Sequence, residues 1–363
     1  MAEPLPEPDC LPGAPHPRET RQVFGQDEAQ QGFLAAWRQG RLHHAWLLTG
    51  QRGIGKATLA WKIARFLLAA EDDPVTADSL ETDADSPLAH RLRNLAEPRL
   101  FLLRRGANER GSALSQFITV DETRALRSFL SLSAADGGYR VVIIDAIDEM
   151  NPAAANAVLK LLEEPPPKTV FLMISHQPAQ LLPTIRSRCR ILRLTRLSTE
   201  NLARALRQAG GRIDAQDSAA LSELAGGSVG EAFRLSNLDG ISQYRDLVQT
   251  LSSLPDLDPA KAIALAEKAN VDFDLILWLI DRFLSRLARS AANHPPANEA
   301  AQGEADLLAR LAPHPSSARH WAELAQTLTP RIRQGRAVNL DPVALLMDTL
   351  LRIEATAREV ATG

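Results

Sequence analysis

The chain has 363 residues, of which 45% are hydrophobic and 23% are charged, so it is long enough for two or three domains of ordinary globular composition. Its net charge of -3 excludes a protein that binds nucleic acid through bulk positive charge, and any DNA contact must come from a local patch or from neighbouring subunits. The two cysteines, Cys10 and Cys189, exclude a four-cysteine zinc site and suit a reducing cytosol.

The chain shows neither a membrane span nor a targeting segment. No apolar run approaches the roughly 18 residues needed to cross a bilayer. The N-terminus has prolines and acidic residues where a signal peptide would have a basic stretch and an apolar core. These features predict a cytoplasmic protein without membrane contact.

Residues 1–20 form the first predicted region, which carries six prolines between Pro4 and Pro17. Proline restricts φ and removes an amide donor, so this region is predicted to be a flexible, extended tail.

Strands and helices alternate over residues 21–197, which are predicted to form an α/β core with a parallel five-stranded sheet between helices. Most of the predicted strands are short continuous apolar runs, typical of parallel strands buried on both faces. They are Ala45–Thr49, Leu100–Leu103, Arg140–Asp145, Val170–Ser175 and Arg190–Leu194. The stretch Glu71–Asp85 holds seven acidic residues and no Lys or Arg, which predicts a solvated surface loop.

The remainder of the chain is predicted to be helical. Residues 198–246 are expected to form a lid of three short helices, the second of which stops at Gly226 and Gly227. Residues 247–363 are rich in Ala and Leu and are expected to form an all-helical domain. Pro342 suits the first turn of its last helix, and a loop is expected around His294–Pro296.

A P-loop pattern, Gly-x-x-x-x-Gly-Lys, runs from Gly50 to Lys56. It follows a predicted apolar strand and precedes a predicted amphipathic helix, which is the context that the motif requires. Gly53 and Gly55 let the backbone curl without a Cβ clash, so that amides and the helix N-terminus point at phosphate. Lys56 can then reach the outer phosphates. The alternative is a glycine-rich turn whose Lys faces solvent.

Ala57 departs from this motif, because a P-loop needs Ser or Thr there to ligate Mg²⁺. Thr58 cannot simply substitute, since one step along a helix rotates the side chain by about 100°. We therefore expect metal-assisted hydrolysis to be impaired and no cofactor to be required. The pattern leaves open whether the loop binds ATP or ADP weakly or not at all.

Asp145 ends a predicted buried strand, in the layout of a Walker-B carboxylate that supports Mg²⁺. ATP-hydrolysing proteins of this class place a Glu next, whereas this chain has Ala146; Asp148 and Glu149 follow on another turn. The general base is therefore missing from its expected position. Alternatively, Asp145 caps a helix at the end of a strand.

Arg188 lies in the tetrapeptide Ser187–Arg190, just before a predicted strand. A planar, permanently charged guanidinium can clamp a γ-phosphate, and such a group supplied in trans raises the rate about 10³–10⁵-fold. The alternative is that Arg186, Arg188 and Arg190 are solvated surface charges. Cys189 is interpreted as a small buried apolar residue rather than a nucleophile.

The chain resembles the AAA+ superfamily and, within it, the delta prime subunits of the bacterial DNA polymerase III clamp loader. The residues that carry the resemblance are Val23–Gln26, His44–Gly50 before the P-loop, Asn156–Pro166 and Ser187–Cys189. It is strong over residues 21–197, fair over the small helical region and only compositional in the C-terminal helices.

The departures from the family place the chain among subunits that do not hydrolyse ATP. In addition to Ala57 and Ala146, Gly230 stands where ATP-hydrolysing subunits have a phosphate-sensing Arg, in the sensor-2 region Gly227–Ala232. Many clamp-loader chains also carry a four-cysteine zinc module after the P-loop helix. Here that region is the acidic stretch Glu71–Asp85, so no zinc is expected.

The resemblance implies a non-motor subunit of a hetero-oligomeric ring that loads a sliding clamp onto primer–template DNA. The other members would be ATP-hydrolysing motor subunits and the delta subunit, held together by a helical collar that residues 247–363 would contribute to. Arg188 would complete the nucleotide site of a neighbouring motor subunit, and Asn156–Pro166 would either order that interface or be a purely structural helix. The competing interpretations are a motor ATPase, with Glu149 as base and Thr58 near the metal, and a small-molecule kinase.

Overall fold

The computed structural model describes residues 5–70, 78–108, 110–131, 138–214 and 216–362. The chain divides into two compact units. The first comprises residues 1–211 and 227–230, and the second comprises residues 212–226 and 231–363.

The first unit is built on a five-stranded parallel sheet, as the sequence predicts. Its strands are β1 (Ala45–Thr49), β2 (Leu100–Arg104), β3 (Arg140–Asp145), β4 (Thr169–Ser175) and β5 (Arg190–Arg193). The spatial order is β2-β3-β4-β1-β5. Strands β1 and β4 are buried along their whole length, which explains their continuous apolar sequences, whereas β5 is an edge strand with exposed residues.

Helices pack on both faces of this sheet. The helices of the first unit are α1 (Asp27–Arg38), α2 (Lys56–Ala69), α3 (Pro87–Arg93), α4 (Val120–Ser131), α5 (Pro152–Glu163), α6 (Pro183–Arg186) and α7 (Thr199–Gln208). Successive side chains of a strand point to opposite faces. Trp46 and Leu48 of β1 therefore join the apolar cluster of α1 and α2, while Ala45 and Leu47 join that of α4 and α5.

The second unit is helical throughout its described elements. It contains α8 (Ser218–Ala225), most of α9 (Val229–Asn237), α10 (Gly240–Leu251), α11 (Pro259–Glu267), α12 (Ala269–Ala291), α13 (Glu304–Leu311), α14 (Ser317–Ala337) and α15 (Pro342–Thr362). The predicted loop around His294 lies between α12 and α13, and Pro342 begins α15.

The boundaries inside the helical part differ from those predicted. Helix α7 belongs to the first unit, which extends to Gly211 rather than to residue 197. Helix α10 runs continuously through the expected division between residues 246 and 247, because Tyr244, Leu247 and Val248 are all buried on one amphipathic face. The separation into a lid and a collar stays a prediction.

A buried ion-pair network lies inside the second unit. Glu304 accepts hydrogen bonds from the Tyr244 hydroxyl (2.6 Å) and from Arg286 Nε (2.6 Å) and Nη2 (3.0 Å). Arg286 also contacts Glu223 at 3.2 Å. The charges are paired and hydrogen-bonded, as burial of charge requires. Burial and the neighbouring Glu304 carboxylate raise the pKa of Tyr244 well above its ordinary value.

The N-terminal segment, residues 5–20, differs most from the sequence-based expectation. Instead of an extended tail, it forms turns that pack on the first unit. The side chains of Asp9 and His16 are almost completely buried. The physical reason is that its charged groups find partners: Arg104 of β2 binds Asp9 and Glu7.

Two further expectations concern exposure. Of the acidic stretch Glu71–Asp85, residues 71–77 lie outside the described residues. In the remainder, Asp78 and Asp85 are largely exposed, as predicted, and Glu81 pairs with Lys62 at 2.5 Å. Among the described residues, no helix is long and apolar enough to cross a membrane.

Candidate functional site: the P-loop and the Arg188 turn

The P-loop joins β1 to α2, in the context that the motif requires. Gly53 and Gly55 have φ values of 72° and 101°, in the left-handed region that favours glycine. The loop therefore turns as the sequence predicts and delivers Lys56 to the first turn of α2.

Lys56 is turned inward onto the loop itself. Its Nζ donates to the carbonyl oxygens of Gly50 (2.7 Å) and Gln51 (2.8 Å), and its side chain is buried. Burial lowers the pKa of Lys56 to about 8, although the carboxylates of Asp145 and Asp148 act in the opposite direction. The ammonium group is thus satisfied by backbone carbonyls of its own loop.

The P-loop is also bonded to the segment Gly227–Gly230. The Gly230 amide donates to the Gly53 carbonyl (3.0 Å), and the Ser228 hydroxyl donates to the Arg52 carbonyl (2.8 Å). A Cβ atom on Gly230 would lie 2.9 Å from Gly53 Cα, closer than real Cβ contacts allow. Gly230 is therefore a point of close backbone approach, and a side chain there, arginine included, would collide with the loop.

Ala57 and Ala146 occupy apolar surroundings. Ala57 packs against the cluster beneath α2, and Ala146 is a buried member of the same cluster. Neither methyl group can coordinate a cation or activate water. The residues present therefore do not fit a Mg²⁺–nucleotide complex poised for hydrolysis, because the metal-ligating hydroxyl and the general base are both replaced by hydrocarbon. Thr58 is half-buried one position further along α2.

Asp145 lies at the carboxyl end of β3, where the sequence predicts it. Burial raises the pKa of Asp145 to about 7, with further contributions from the carboxylates of Asp9 and Glu149. Lys56 and Arg52 oppose this shift. A carboxyl group that protonates near neutrality is a weaker cation ligand than an ordinary aspartate.

Asp148 and Glu149, the acidic residues after Asp145, both have partners of their own. The Asp148 carboxylate accepts hydrogen bonds from the backbone amides of His176 (2.9 Å) and Gln177 (3.2 Å), which ties the end of β3 to the end of β4. Glu149 pairs with Arg105 at 2.8 Å. Glu149 is thus held by the Arg105 guanidinium, which occupies the carboxylate that a base would use.

Sequence reasoning did not identify His176 as part of this site. It follows β4 directly, and burial lowers its pKa to about 4, with a further contribution from the positive charge of Lys56. The imidazole is therefore neutral at physiological pH. The sequence feature that could have identified His176 is its position directly after Ser175, at the edge of the sheet where the carboxyl ends of the parallel strands meet.

Arg188 lies in the turn between α6 and β5, away from these residues in the chain. Its Nη1 donates to the Thr184 carbonyl (2.9 Å), and its Nη2 pairs with Glu163 Oε1 at the end of α5 (2.9 Å). About a third of the side chain remains exposed, at 37%. The guanidinium is therefore held in one place while part of it stays accessible.

The neighbours of Arg188 are engaged differently. Arg190 lies over the indole of Trp46, 5.1 Å from the ring centroid, whereas Arg186 is exposed. Burial raises the pKa of the Cys189 thiol to about 12, which keeps it protonated and unreactive. Cys189 packs against the cluster of α4 and α5, as expected for a small apolar residue.

Helix α5 carries most of Asn156–Pro166. It is capped at its N-terminus by Asn151, whose side chain accepts a hydrogen bond from the Ala154 amide. Val158 and Leu162 bury its apolar face on the side of the sheet opposite α2. The helix therefore does not support the P-loop helix directly. Its contact with a candidate functional group is the Glu163–Arg188 pair.

Comparison with known proteins identifies the family. Residues 25–198 match the protein family described as DNA polymerase III, delta subunit. The DNA polymerase III subunit delta′ of Escherichia coli is 30% identical over 325 residues, which are 89% of this chain and 92% of that protein. The chain belongs to the DNA polymerase III delta′ family. The Pseudomonas aeruginosa subunit delta′ is 41% identical over 159 residues, a match that spans less than half of either chain (43% and 45%).

Among solved structures, the chain matches a DNA polymerase III gamma subunit-related protein of Thermotoga maritima. It is 17% identical, with a TM-score of 0.40, and the match covers 90% of this chain and 99% of that one. The five-stranded parallel sheet that the sequence predicts is confirmed, with the strand order β2-β3-β4-β1-β5. Among the described residues, no cluster of three or more His, Cys, Asp or Glu could hold a metal ion, and the expectation of no zinc stays a prediction.

Proposed function

We propose that this chain is a cytoplasmic, non-motor subunit of the replicative clamp loader, which donates Arg188 in trans to a neighbouring ATPase subunit. Its partners in this proposal are motor subunits and a delta subunit in a hetero-oligomeric ring, together with the sliding clamp. Primer–template DNA is reached through the complex. The chain requires no cofactor, holds no zinc, and binds ATP or ADP weakly or not at all.

The observation that carries this proposal is the contrast between the two sites. The chain's own P-loop has hydrocarbon at Ala57 and Ala146, and its Lys56 is bonded to loop carbonyls. Arg188, in contrast, is oriented by Glu163 and a backbone carbonyl with 37% of its side chain exposed. A fixed, accessible guanidinium is of little use to a monomer, but it suits a phosphate on another chain.

The test is ATP hydrolysis by a reconstituted loader of motor subunits, delta, clamp and primed DNA. We expect Arg188→Ala to lower turnover at the affected site by about 10³-fold or more, the usual range for such a group. Because the side chain is partly exposed, folding of the variant should be unchanged. Arg186→Ala is the matched control, since Arg186 is exposed two residues earlier, at the end of α6.

The two substitutions separate a specific role from loss of surface charge. Unchanged turnover with Arg188→Ala, or an equal loss with Arg186→Ala, would contradict the donation of Arg188. The isolated wild-type chain should hydrolyse no ATP. Robust turnover by the chain alone would instead favour a motor ATPase that uses Glu149 as base, despite its pairing with Arg105.

A further inference from the structure

The N-terminal segment lies along the same edge of the sheet as the candidate nucleotide site. Arg104 ends β2 and is paired in register with Asp145 on β3. The Arg104 guanidinium binds Asp9 and contacts Glu7 at 2.9 Å. The two carboxylates of the segment are thus anchored on the strand next to the one that carries the Walker-B aspartate.

Leu11 brings the same segment close to Gly230, which is bonded to the P-loop. One of its methyl carbons lies 3.2 Å from the position that a Cβ atom on Gly230 would take, and Gly230 in turn touches Gly53. Two residues of extended chain span at most about 7 Å. Residues 9–11 therefore connect the carboxyl edge of β2, at Arg104, to Gly230, the residue that touches the P-loop.

Further contacts hold the segment in this place. His16 pairs with Asp9 at 3.2 Å and packs edge-on against Trp61 of α2, at 6.1 Å between ring centroids. Arg18 Nε donates to the Arg93 carbonyl (2.9 Å), and Arg65 donates to the Thr20 carbonyl (2.9 Å).

We propose that the N-terminal segment is a built-in occupant of the phosphate side of the P-loop site, so that nucleotide binds only when residues 7–11 are displaced. The segment places Leu11 next to Gly230, which touches the P-loop at Gly53. It also places two carboxylates, the same sign of charge as a triphosphate, on Arg104, the register partner of Asp145. The raised pKa of Asp145, to which Asp9 contributes, agrees with this crowding of acidic groups. The inference does not depend on the donation of Arg188, because it concerns only the chain's own site.

The experiment uses the full chain and two readouts. The first is alkylation of Cys10, within the segment, by N-ethylmaleimide, with Cys189 read separately by peptide mass spectrometry. The second is the fluorescence anisotropy of a mant-labelled ATP probe. The variant is Glu7→Gln/Asp9→Asn, which keeps side-chain shape and removes the charge that binds Arg104. Asp78→Asn is the control, since it removes an exposed carboxylate paired with Arg38 elsewhere on the unit.

In the double variant, we expect N-ethylmaleimide to alkylate Cys10 about tenfold faster than in wild type, and mant-ATP to bind about tenfold more tightly. Charge-assisted bonds in part-buried sites contribute this order of free energy. The control should match wild type in both. In wild type, millimolar ATP should itself speed alkylation of Cys10, a measurement that requires no variant.

Three outcomes would overturn the proposal. In the first, Cys10 becomes accessible in the double variant but mant-ATP binds no better. In the second, Cys10 alkylation is unchanged in a folded double variant, so the carboxylates do not hold the segment. In the third, ATP binds wild type and the double variant with equal affinity and does not change the alkylation rate of Cys10. The segment and the nucleotide would then be bound at the same time.

Discussion

Gly230→Ala tests the close approach between Gly230 and the P-loop. Gly230 does not have a positive φ, so its backbone accepts an alanine, and only its contacts should decide the outcome. The added Cβ would lie 2.9 Å from Gly53 Cα and 3.2 Å from a methyl carbon of Leu11. The nearer atom is backbone and cannot move aside by changing rotamer, so the loop itself must shift.

The expected loss of stability is about 1–3 kcal/mol. Overpacking of this kind costs about 1–3 kcal/mol, and a weakened bond from the Gly230 amide to the Gly53 carbonyl adds about 1 kcal/mol. Replacing glycine by alanine within a helix recovers about 1 kcal/mol of stability. A net loss of about 2 kcal/mol of stability lowers Tm by about 4–8 °C in a unit of this size.

The assay is thermal and urea denaturation followed by circular dichroism, with hydrogen exchange of peptides that cover the P-loop. Gly32→Ala in α1 is the matched control, because the nearest side-chain atom to its new Cβ would be an ordinary 3.7 Å away. That control should be neutral or slightly stabilising. If Gly230→Ala were as stable as Gly32→Ala, with unchanged exchange in the P-loop, the close approach would not exist.

Three further predictions concern the two candidate sites. Ala57→Thr alone should release no phosphate from ATP, because Ala146 still replaces the base; substantial hydrolysis by this single variant would refute our account of the site. The free energy of unfolding of Asp145→Asn, relative to wild type, should rise by about 2–3 kcal/mol between pH 5 and pH 8, as measured by urea denaturation. The sign follows because the folded-state pKa of about 7 lies above the unfolded value, so wild type loses stability as pH rises to 7; parallel pH profiles would contradict it. Glu163→Gln should change stability by less than about 1 kcal/mol, since the ion pair is partly exposed, but should lower turnover of the reconstituted loader severalfold by releasing Arg188. In an Arg188→Ala background, Glu163→Gln should lower loader turnover no further. An equal drop in turnover there would rule out action through Arg188.

Much of the α/β unit was predictable because its signals are local. Continuous apolar runs placed β1 and β3 at the correct residues, since strands buried on both faces are mostly apolar along their length. The P-loop and the carboxylate of Asp145 were found from spacing alone, and the structure places both at the carboxyl edge of the sheet. His176 was missed because a single histidine after a strand has no distinguishing pattern.

The less predictable features depend on residues that are far apart in the chain. The sequence by itself determines that Ala57 and Ala146 carry neither a hydroxyl nor a carboxylate and that Gly230 carries no side chain, because the chemistry of a side chain is a local property. It does not reveal that Gly230 touches Gly53, since that contact forms only when the chain brings the two backbones together. The same holds for the N-terminal segment. Its prolines predict an extended tail, but its place is set by Arg104, some 95 positions away, because burial of charge is favourable only where a partner of opposite charge lies in space.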